Sequence, residues 1–416
     1  MKPQYILKYF PWLIIAIILN NILRAWLPDS LAKMIEYGCD IALAVCCVIY
    51  FYQNRSRLFR EYRIISLLYT FLLVYVVAAL IKLQFVTSGM FPFFIMRMLT
   101  NFCCFGAIFI FMNERVVYKT MKLWWRFVPI LFILSFWRLE RSEYIQILAF
   151  IMFFIVFNRI FSIKKKFFIM AAFLFIVGWG VIQRIDYIIV VISILLFFML
   201  RYSWMLSKKA TQIFYHIQMW FPVVFLVLGL TGVFNILNFD SYVKEEYMSD
   251  TGERFNDDTR TFLYEEAIAS AINHNYVLWG RTPGYGYDSF WVQNQLDYKL
   301  GETNAALNIS RQLAQRVSEV FVVNMFTWCG LIGVLFFFVF YYKIGLGMLK
   351  QVENTYLRVC ILYIGFFWII CFISHQFFVP SSDYILFYII LSLCLNPKLQ
   401  KASDRGAATY LRRLFK

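Results

Sequence analysis

Residues 64–81 read IISLLYTFLLVYVVAALI, a stretch without a charged side chain that is bounded by Arg63 and Lys82. An α-helix of this length rises about 27 Å. The hydrocarbon core of a bilayer is about 30 Å thick, so the stretch predicts a membrane-spanning helix.

Apolar blocks of this kind recur along the whole chain of 416 residues, which is 62% hydrophobic and only 15% charged. Soluble domains are about 45–50% apolar and about 25% charged. We therefore predict an all-α polytopic membrane protein with about twelve transmembrane helices. Spans seven and eight are joined only by Arg184 and its neighbours, so a short hairpin or re-entrant pair is an alternative there. The predicted spans are residues 10–27, 35–52, 64–82, 92–112, 124–138, 144–162, 167–183, 185–202, 218–237, 321–342, 357–374 and 379–395.

The net charge of +16 follows the topology of these spans. If the N-terminus is cytoplasmic, the inner segments carry 24 Lys and Arg residues and the short outer segments carry six. Cytoplasmic loops of membrane proteins are enriched in Lys and Arg, so both termini are predicted to be cytoplasmic. No zinc-finger or RNA-binding signature accompanies the charges, which excludes a nucleic-acid partner.

The N-terminus and the cysteines add two further expectations. No small-residue cleavage site follows the first apolar run, so it is expected to be a retained helix rather than a signal peptide. The nine cysteines all fall inside apolar blocks. They predict buried apolar side chains rather than disulfides or a metal site.

One segment, residues 238–320, is long and polar and is predicted to lie outside the membrane. The chain then divides into an N-terminal bundle (1–237), this large extracytoplasmic loop (238–320), the C-terminal transmembrane helices (321–395) and a basic, loosely held cytoplasmic tail (396–416). A helix is expected to start near Asp257-Asp258-Thr259, because apolar residues then recur at helical spacing. A break is expected over 279–286. A second amphipathic helix, marked by residues 306–320, is expected to run directly into the tenth span.

Three arginines are candidates for binding phosphate, because the guanidinium fork pairs with two phosphate oxygens at once. Arg184 lies between two apolar spans, where a charge is costly; its alternative is an ion pair with Asp186 or a snorkelling anchor. Arg260 opens the first loop helix, where the helix N-terminus attracts anions; its alternative is a surface pair with Asp257 or Asp258. Arg281 lies in a Gly-rich turn, and its alternative is a purely structural turn.

Glu319 is the candidate catalytic carboxylate, and it lies at the point where the second loop helix would meet the membrane. A carboxylate there can have a raised pKa, as a general base needs. In a helix, Arg311 would share its face and Arg316 would lie one turn away, so both are candidate secondary contacts, and an Arg316–Glu319 surface pair is the alternative. His274 is a possible secondary contact, His216 is expected to be structural, and no two histidines have metal-ligand spacing.

Four stretches of the sequence resemble the O-antigen ligase/polymerase superfamily. They are DTRTFLYEEAI (258–268), NHNYVLWG (273–280), PGYG (283–286) and EVFVVNMFTWCGLIG (319–333), and Arg184 is similar to the Ser-Arg step of that family. The resemblance covers residues 184–340 in detail. It implies a metal-independent, GT-C-like glycosyltransferase of the bacterial cytoplasmic membrane that needs no cofactor.

The resemblance also implies partners and roles. The donor would be a polyprenyl-diphosphate-linked oligosaccharide in the lipid bilayer, whose diphosphate Arg184 and Arg260 would hold, and a flippase and a chain-length regulator would be partner proteins. The family often has His-Asn where this chain has Glu319-Val320, and Ser where it has Gln183. These departures favour a polysaccharide polymerase over a ligase.

Two alternatives stay open. A ligase would pass a finished glycan to a lipid or protein acceptor. A transporter would suit twelve spans with both ends inside, but transporters usually show repeated halves and interrupted helices, and neither is evident in the sequence.

Overall fold

The apolar blocks of the sequence form helices throughout the part of the chain that the computed structural model describes. This part comprises residues 3–24, 26–83, 99–135, 137, 141–178, 184–231, 261–283, 285–289, 315–316, 318, 320–374 and 378–415. The helices are α1 Pro3–Leu23, α2 Asp29–Glu61, α3 Arg63–Leu83, α4 Leu99–Phe111 (interrupted at residues 105–106), α5 Glu114–Ser135, α6 Arg141–Val156, α7 Ile163–Gly178, α8 Arg184–Arg201, α9 Lys208–Leu230, α10 Thr261–Asn273, α11 Phe321–Gln351, α12 Thr355–Ile370, α13 Ser382–Cys394, α14 Pro397–Gln400 and α15 Asp404–Leu414. Short 3₁₀ turns, Asn158–Ile160 and Ser203–Leu206, precede α7 and α9, and a two-stranded ribbon joins β1 Tyr287–Asp288 to β2 Gln315–Arg316.

The fold is that of an all-α membrane protein. Within the described residues, five helices are long and apolar enough to cross a bilayer: Gln4–Leu23, Ser30–Glu61, Arg63–Lys82, Lys208–Leu230 and Phe321–Gln351. Each predicted span overlaps a helix, although several of these helices are shorter. In α3, Leu68 and Leu72 are buried whereas Val74 and Val77 are exposed. Exposed apolar side chains of this kind suit a surface that faces lipid rather than water.

Aromatic rings fill the centre of the bundle where four segments meet. The Phe105 ring, in the interruption of α4, lies 4.9 Å from Phe378 and 5.8 Å from Phe340 of α11. It also contacts Tyr388 of α13 at 6.2 Å. The rings meet edge-on or tilted, as aromatic pairs prefer, so this cluster fixes α4, α11 and α13 against one another.

Contacts between helix ends divide the bundle into two ends. At one end, which we call the Arg358 end, Arg358 donates to the Leu206 carbonyl at 2.7 Å and Lys208 to the Lys350 carbonyl at 2.7 Å. At the opposite end, the Lys82 end, Lys82 donates to the Arg281 carbonyl at 3.2 Å. Each of these contacts joins segments that the charge distribution predicts to lie on the same side of the membrane. The structure thus agrees with the predicted pairing of loops, while the assignment of the Arg358 end to the cytoplasm rests on charge.

Helix α11 is broken at Gly330, where φ is +66°. The helix resumes at once, and residues 331–351 alone rise about 30 Å, enough to cross a bilayer. The sequence analysis found no interrupted span, and the structure corrects this expectation for α11. The reason is that the groups released by the break bond to another segment far away in the sequence, as described below.

Two other expectations were wrong. The second loop helix does not run continuously into α11, because Gln315 and Arg316 form strand β2, paired antiparallel with Asp288 and Tyr287. The C-terminal tail is not loosely held, because α15 buries Ala407, Leu411 and Leu414 against the bundle. An amphipathic helix with one apolar face gains stability when that face is covered.

Candidate functional site

Helices α10 and α11 both start against one short segment, residues 371–374. The Tyr264 hydroxyl, in the first turns of α10, donates to the Phe372 carbonyl at 2.6 Å. The first amides of α11 bond there too, Phe321 to the Ser374 carbonyl at 3.4 Å and Val322 to that of Cys371 at 3.2 Å. Two helix N-termini are therefore fixed at one place.

The approach to α11 is fixed by a buried amide side chain. The Asn324 carboxamide accepts from the Ser318 amide at 2.9 Å and donates to the Ser318 carbonyl at 2.6 Å. Both residues are buried. A buried backbone group needs such a partner, so Asn324 sets the path of the chain where it enters the helix.

Helix α8 begins at the same end of the bundle as the 371–374 segment. The 3₁₀ turn that follows α8 contacts Arg358 near the start of α12, and α8 packs along α12. Both helices rise about 25 Å from that shared contact. The first residue of α8, Arg184, therefore lies at the level of the last residue of α12, Ile370.

A turn after α10 interlocks with the break in α11. The amides of Arg281 and Thr282 donate to the carbonyls of Thr327 and Trp328 at 2.7 and 3.0 Å, and the amides of Leu331 and Ile332 donate to those of Val277 and Leu278 at 2.8 and 3.3 Å. Each interruption thus supplies the partners that the other one needs. Buried backbone amides and carbonyls that a broken helix releases need partners, and each of the two segments provides them for the other.

Both sides of the interlock require glycine. Gly280 has φ +72°, and a Cβ there would lie 2.4 Å from the Trp328 carbonyl carbon; a Cβ on Gly330 would lie 2.2 Å from the Leu278 oxygen. Real side chains do not approach backbone so closely. The neighbouring Trp279 is 64% exposed, and Trp is favoured where a membrane surface meets water.

Three polar side chains meet beside this turn. Arg281 donates from Nη1 to the Asp288 carboxylate at 2.9 Å and to the Gly286 carbonyl at 2.9 Å. The other Asp288 oxygen pairs with His274 Nε2. Because the His274 and Asp288 side chains are 48% and 44% exposed, this cluster can reach solvent or a ligand. A carboxylate at Nε2 orients the imidazole and leaves Nδ1 able to take up a proton.

Tyr276 contacts the cluster of His274, Arg281 and Asp288 through both its ring and its hydroxyl. Its ring lies under the Arg281 guanidinium, 4.8 Å from centroid to Cζ. Its hydroxyl donates to Ser270 at 2.7 Å, and the same Ser270 oxygen accepts from the Asp288 amide at 3.0 Å. Burial raises the pKa of the Tyr276 phenol above its ordinary value, so it stays a neutral donor.

Thr282 carries backbone strain at this site. Its φ is +81°, which is a genuine outlier for a β-branched residue. Such strain costs of order 1–3 kcal/mol and persists only where the surroundings hold it in place. Here the bond from the Thr282 amide to Trp328 does so.

The structure separates residues that the sequence analysis grouped. His274 and Arg281 lie together at the C-terminal end of α10, whereas the 371–374 segment meets its first turns, and α10 is about 20 Å long. Arg281 is only 15% exposed and already paired. It lies near the end of α10, remote from the start of that helix, next to which the sequence places Arg260.

Several predicted residues lie outside the described part of the chain: Arg260, Arg311 and Glu319. Arg316 is described as part of β2, and Arg184 as the first residue of α8. His216, expected to be structural, faces Tyr342 with 3.3 Å between Nδ1 and the hydroxyl oxygen.

The sequence analysis missed Asp288 and Ser270. Asp288 could have been found from its position, because it is an acidic residue shortly after a Gly-rich turn that contains an arginine. Ser270 gave no such signal, because serine is common on helices. Within the described ranges, no group of three His, Cys, Asp or Glu side chains is placed to bind a metal ion. The chain matches no family model, no curated protein and no solved structure.

Proposed function

We propose that the protein is a bacterial polysaccharide polymerase that joins polyprenyl-diphosphate-linked oligosaccharide repeats at the Lys82 end of the bundle. In this proposal the chain crosses the cytoplasmic membrane twelve times, both termini are cytoplasmic, and residues 238–320 form an extracytoplasmic loop. The enzyme is a metal-independent glycosyltransferase with a GT-C-like fold.

The observation that carries the proposal is the meeting of three chain segments at one end of the bundle. The described neighbours of Arg260 and Glu319, namely Tyr264 and Phe321, both bond to the 371–374 segment. Arg184 starts α8 at the same level. Sequence positions 184, 260 and 319 are far apart in the chain, so the meeting of their described neighbours at one end of the bundle supports one site built from all three.

In the proposed reaction, an acceptor hydroxyl oxygen forms a bond to the anomeric carbon of the donor glycan. The bond from that carbon to the diphosphate oxygen breaks, and the bonding electrons leave with the diphosphate. Arg184 and Arg260 hold this leaving group, and Glu319 takes the hydroxyl proton. Arg281 is assigned a positioning role because it is already bound to Asp288.

His274 is a second candidate for the base, favoured by its contact with Asp288. A base must lie within hydrogen-bonding distance of the proton that it removes. His274 follows the last residue of α10, so its distance from the 371–374 segment counts against it. We therefore keep Glu319 as the proposed base and treat His274 as the competitor that experiment must exclude.

The other functions are weaker fits. A ligase would use the same donor site, and only the acceptor would differ. A transporter is suggested by the broken helix α11, since such breaks bind substrate in many transporters. In this protein the amides and carbonyls on both sides of the break are bonded to the 277–282 turn rather than directed at a cavity.

The test is the gel profile of surface polysaccharide from a strain that lacks the gene, complemented with wild type, Arg260→Ala or Glu319→Gln. Matched controls are Arg405→Ala and Glu265→Gln, both exposed in the structure. We expect single repeats without the gene and with either site variant, and a long ladder with wild type and the controls. Long glycan accumulating on its carrier lipid would instead indicate a ligase, and an unchanged profile would reject both.

A further inference from the structure

A cavity of about 260 Å³ opens at the Arg358 end of the bundle, away from the proposed glycan site. It lies between the 3₁₀ turn Asn158–Ile160, the first turn of α7 and the last turn of α8. Its lining includes three cationic side chains, those of Arg159, Lys166 and Arg201.

The charges in this cavity are of one sign. The lining that the structure describes contains no Asp or Glu. Arg159 and Arg201 are exposed, and Lys166 is half-buried. Three cations so close together repel one another unless an anion lies between them, so the cavity favours a ligand with negative charge.

Aromatic and apolar groups complete the lining. Phe198 and Tyr202 stand beside Arg201 and are each about half exposed. Trp204, just beyond them, is 74% exposed. Exposed aromatic rings next to cations are typical of the level at which lipid headgroups meet hydrocarbon.

Two apolar stripes lead from the cavity along the bundle surface. On α8, Val191, Leu195 and Phe198 are exposed at helical spacing and end at the cavity. On α7, Met170 and Leu174 continue the row that starts at Lys166. Helices α7 and α8 each pack on α6, and the described residues of α7 and α8 scarcely contact each other.

We propose that this cavity binds the phosphate of an anionic phospholipid headgroup, with the acyl chains along the two stripes. The volume is below the roughly 300–1,000 Å³ of pockets for larger ligands, which suits a headgroup rather than an oligosaccharide. Anionic lipid attracts basic residues at the cytoplasmic surface, in agreement with the predicted orientation. The site is independent of the proposed glycosyl transfer.

The test is native mass spectrometry of the full chain in detergent, titrated with dioleoyl phosphatidylglycerol, dioleoyl phosphatidylcholine or inorganic phosphate. The variant is the triple change Arg159→Gln, Lys166→Gln, Arg201→Gln. The matched control is Lys209→Gln, Arg405→Gln, Arg412→Gln, which removes equal charge from exposed positions of the same end. Thermal unfolding of both variants shows whether they fold as wild type.

We expect wild type and control to bind phosphatidylglycerol in preference to phosphatidylcholine. Each lost cation should weaken that binding about fivefold, so the triple variant should lose on the order of 100-fold. An equal loss of phosphatidylglycerol affinity in variant and control would show that general surface charge causes the binding, and it would overturn the proposal. So would equal affinity for phosphatidylcholine, or saturable binding of inorganic phosphate without lipid binding.

Discussion

The two ends of the bundle are held together by different chemistry. At the Lys82 end, the 277–282 turn and the break in α11 exchange backbone hydrogen bonds, and glycine is needed on each side. At the Arg358 end, the C-terminal helices are held by side chains that bond to backbone groups. The Lys82 end therefore depends on a close fit of the backbone, whereas the Arg358 end depends on which polar side chains are present.

The Arg358 end shows this in two residues. Buried Asn354 caps α12 by accepting from the Leu357 amide at 2.9 Å, and it donates to the Leu399 carbonyl at 2.8 Å. Asp404, the first residue of α15, accepts from the Thr355 amide at 2.6 Å. Each of these side chains links two helices, so a conservative substitution at one of them can weaken the contact between the helices without abolishing it.

The largest effect is expected from Gly330→Val. A side chain at φ +66° would overlap the Leu278 carbonyl, which cannot move without breaking the turn. We expect a loss of more than about 4 kcal/mol, seen as loss of folded protein in thermal unfolding and size-exclusion profiles. The control is Gly347→Ala on the same helix, where a Cβ meets nothing within 4 Å. Equal behaviour of the two variants would refute the interlock.

Asn354→Ala should have the next largest effect. It removes a helix cap and the bonds that the Asn354 amide donates to the Leu399 and Ala402 carbonyls, at a cost of about 2–3 kcal/mol. Limited proteolysis should then cut the C-terminal tail faster, while the Lys82 end stays protected. Thr409→Ala is the control, because that hydroxyl bonds only within α15, to Arg405. Protection of the tail equal to wild type would show that Asn354 does not hold it.

Asp288→Asn tests whether the cluster beside the turn is structural or catalytic. The Asp288 side chain is 44% exposed and asparagine keeps an oxygen that can accept from Arg281, so the stability loss should be under about 1 kcal/mol. With Glu319 as the base, polysaccharide chain length should stay near wild type. A rate loss of about 100-fold or more, with normal stability, would transfer the role of base to His274.

The smallest effect concerns Lys165, which lies before the predicted seventh span and donates to the Phe415 carbonyl at 2.8 Å. Burial lowers the pKa of its ammonium group to about 8, although the Trp125 ring, 4.2 Å away, favours the charged form. The unfolded chain has a lysine pKa of about 10.4. Between these values the unfolded state binds more protons, so stability should rise with pH.

The measurement for Lys165 is the free energy of unfolding of wild type minus that of Lys165→Met, from pH 7.5 to 10. We expect this difference to grow with pH, by about 1 kcal/mol or less, because solvent screens the half-exposed group. A difference that is constant or shrinks with pH would mean that burial does not govern this lysine.

Helices were predictable from sequence because each span carries its own apolar composition. The block 64–82 corresponds to α3, Arg63–Leu83, and the start expected near residues 257–259 corresponds to α10 at Thr261. The break in α11 was not predictable, because it depends on residues 277–282 meeting residues 327–332. Local periodicity contains no information on such a pairing.

The candidate site was predictable only in part, for the same reason. Arginines next to the predicted helix starts were visible in the sequence, and Arg184 is the first described residue of α8. The pairing of Arg281 with Asp288 was not visible, since it depends on a turn with positive φ at Gly280 and Thr282. The helix predicted over residues 306–320 was wrong at residues 315–316, because an apolar period can also occur in a segment that pairs as a strand, and residues 306–314 lie outside the described part of the chain.

The interlock of the 277–282 turn with Gly330 has a consequence for biogenesis. Alone in a bilayer, residues 321–351 are best satisfied as an unbroken helix, because only the turn supplies partners for a break. The turn precedes this helix in the chain and must be in place before α11 can adopt its broken form. The final conformation of α11 and the folding of the 277–282 turn then depend on each other, and an assay that follows membrane insertion during synthesis could time them.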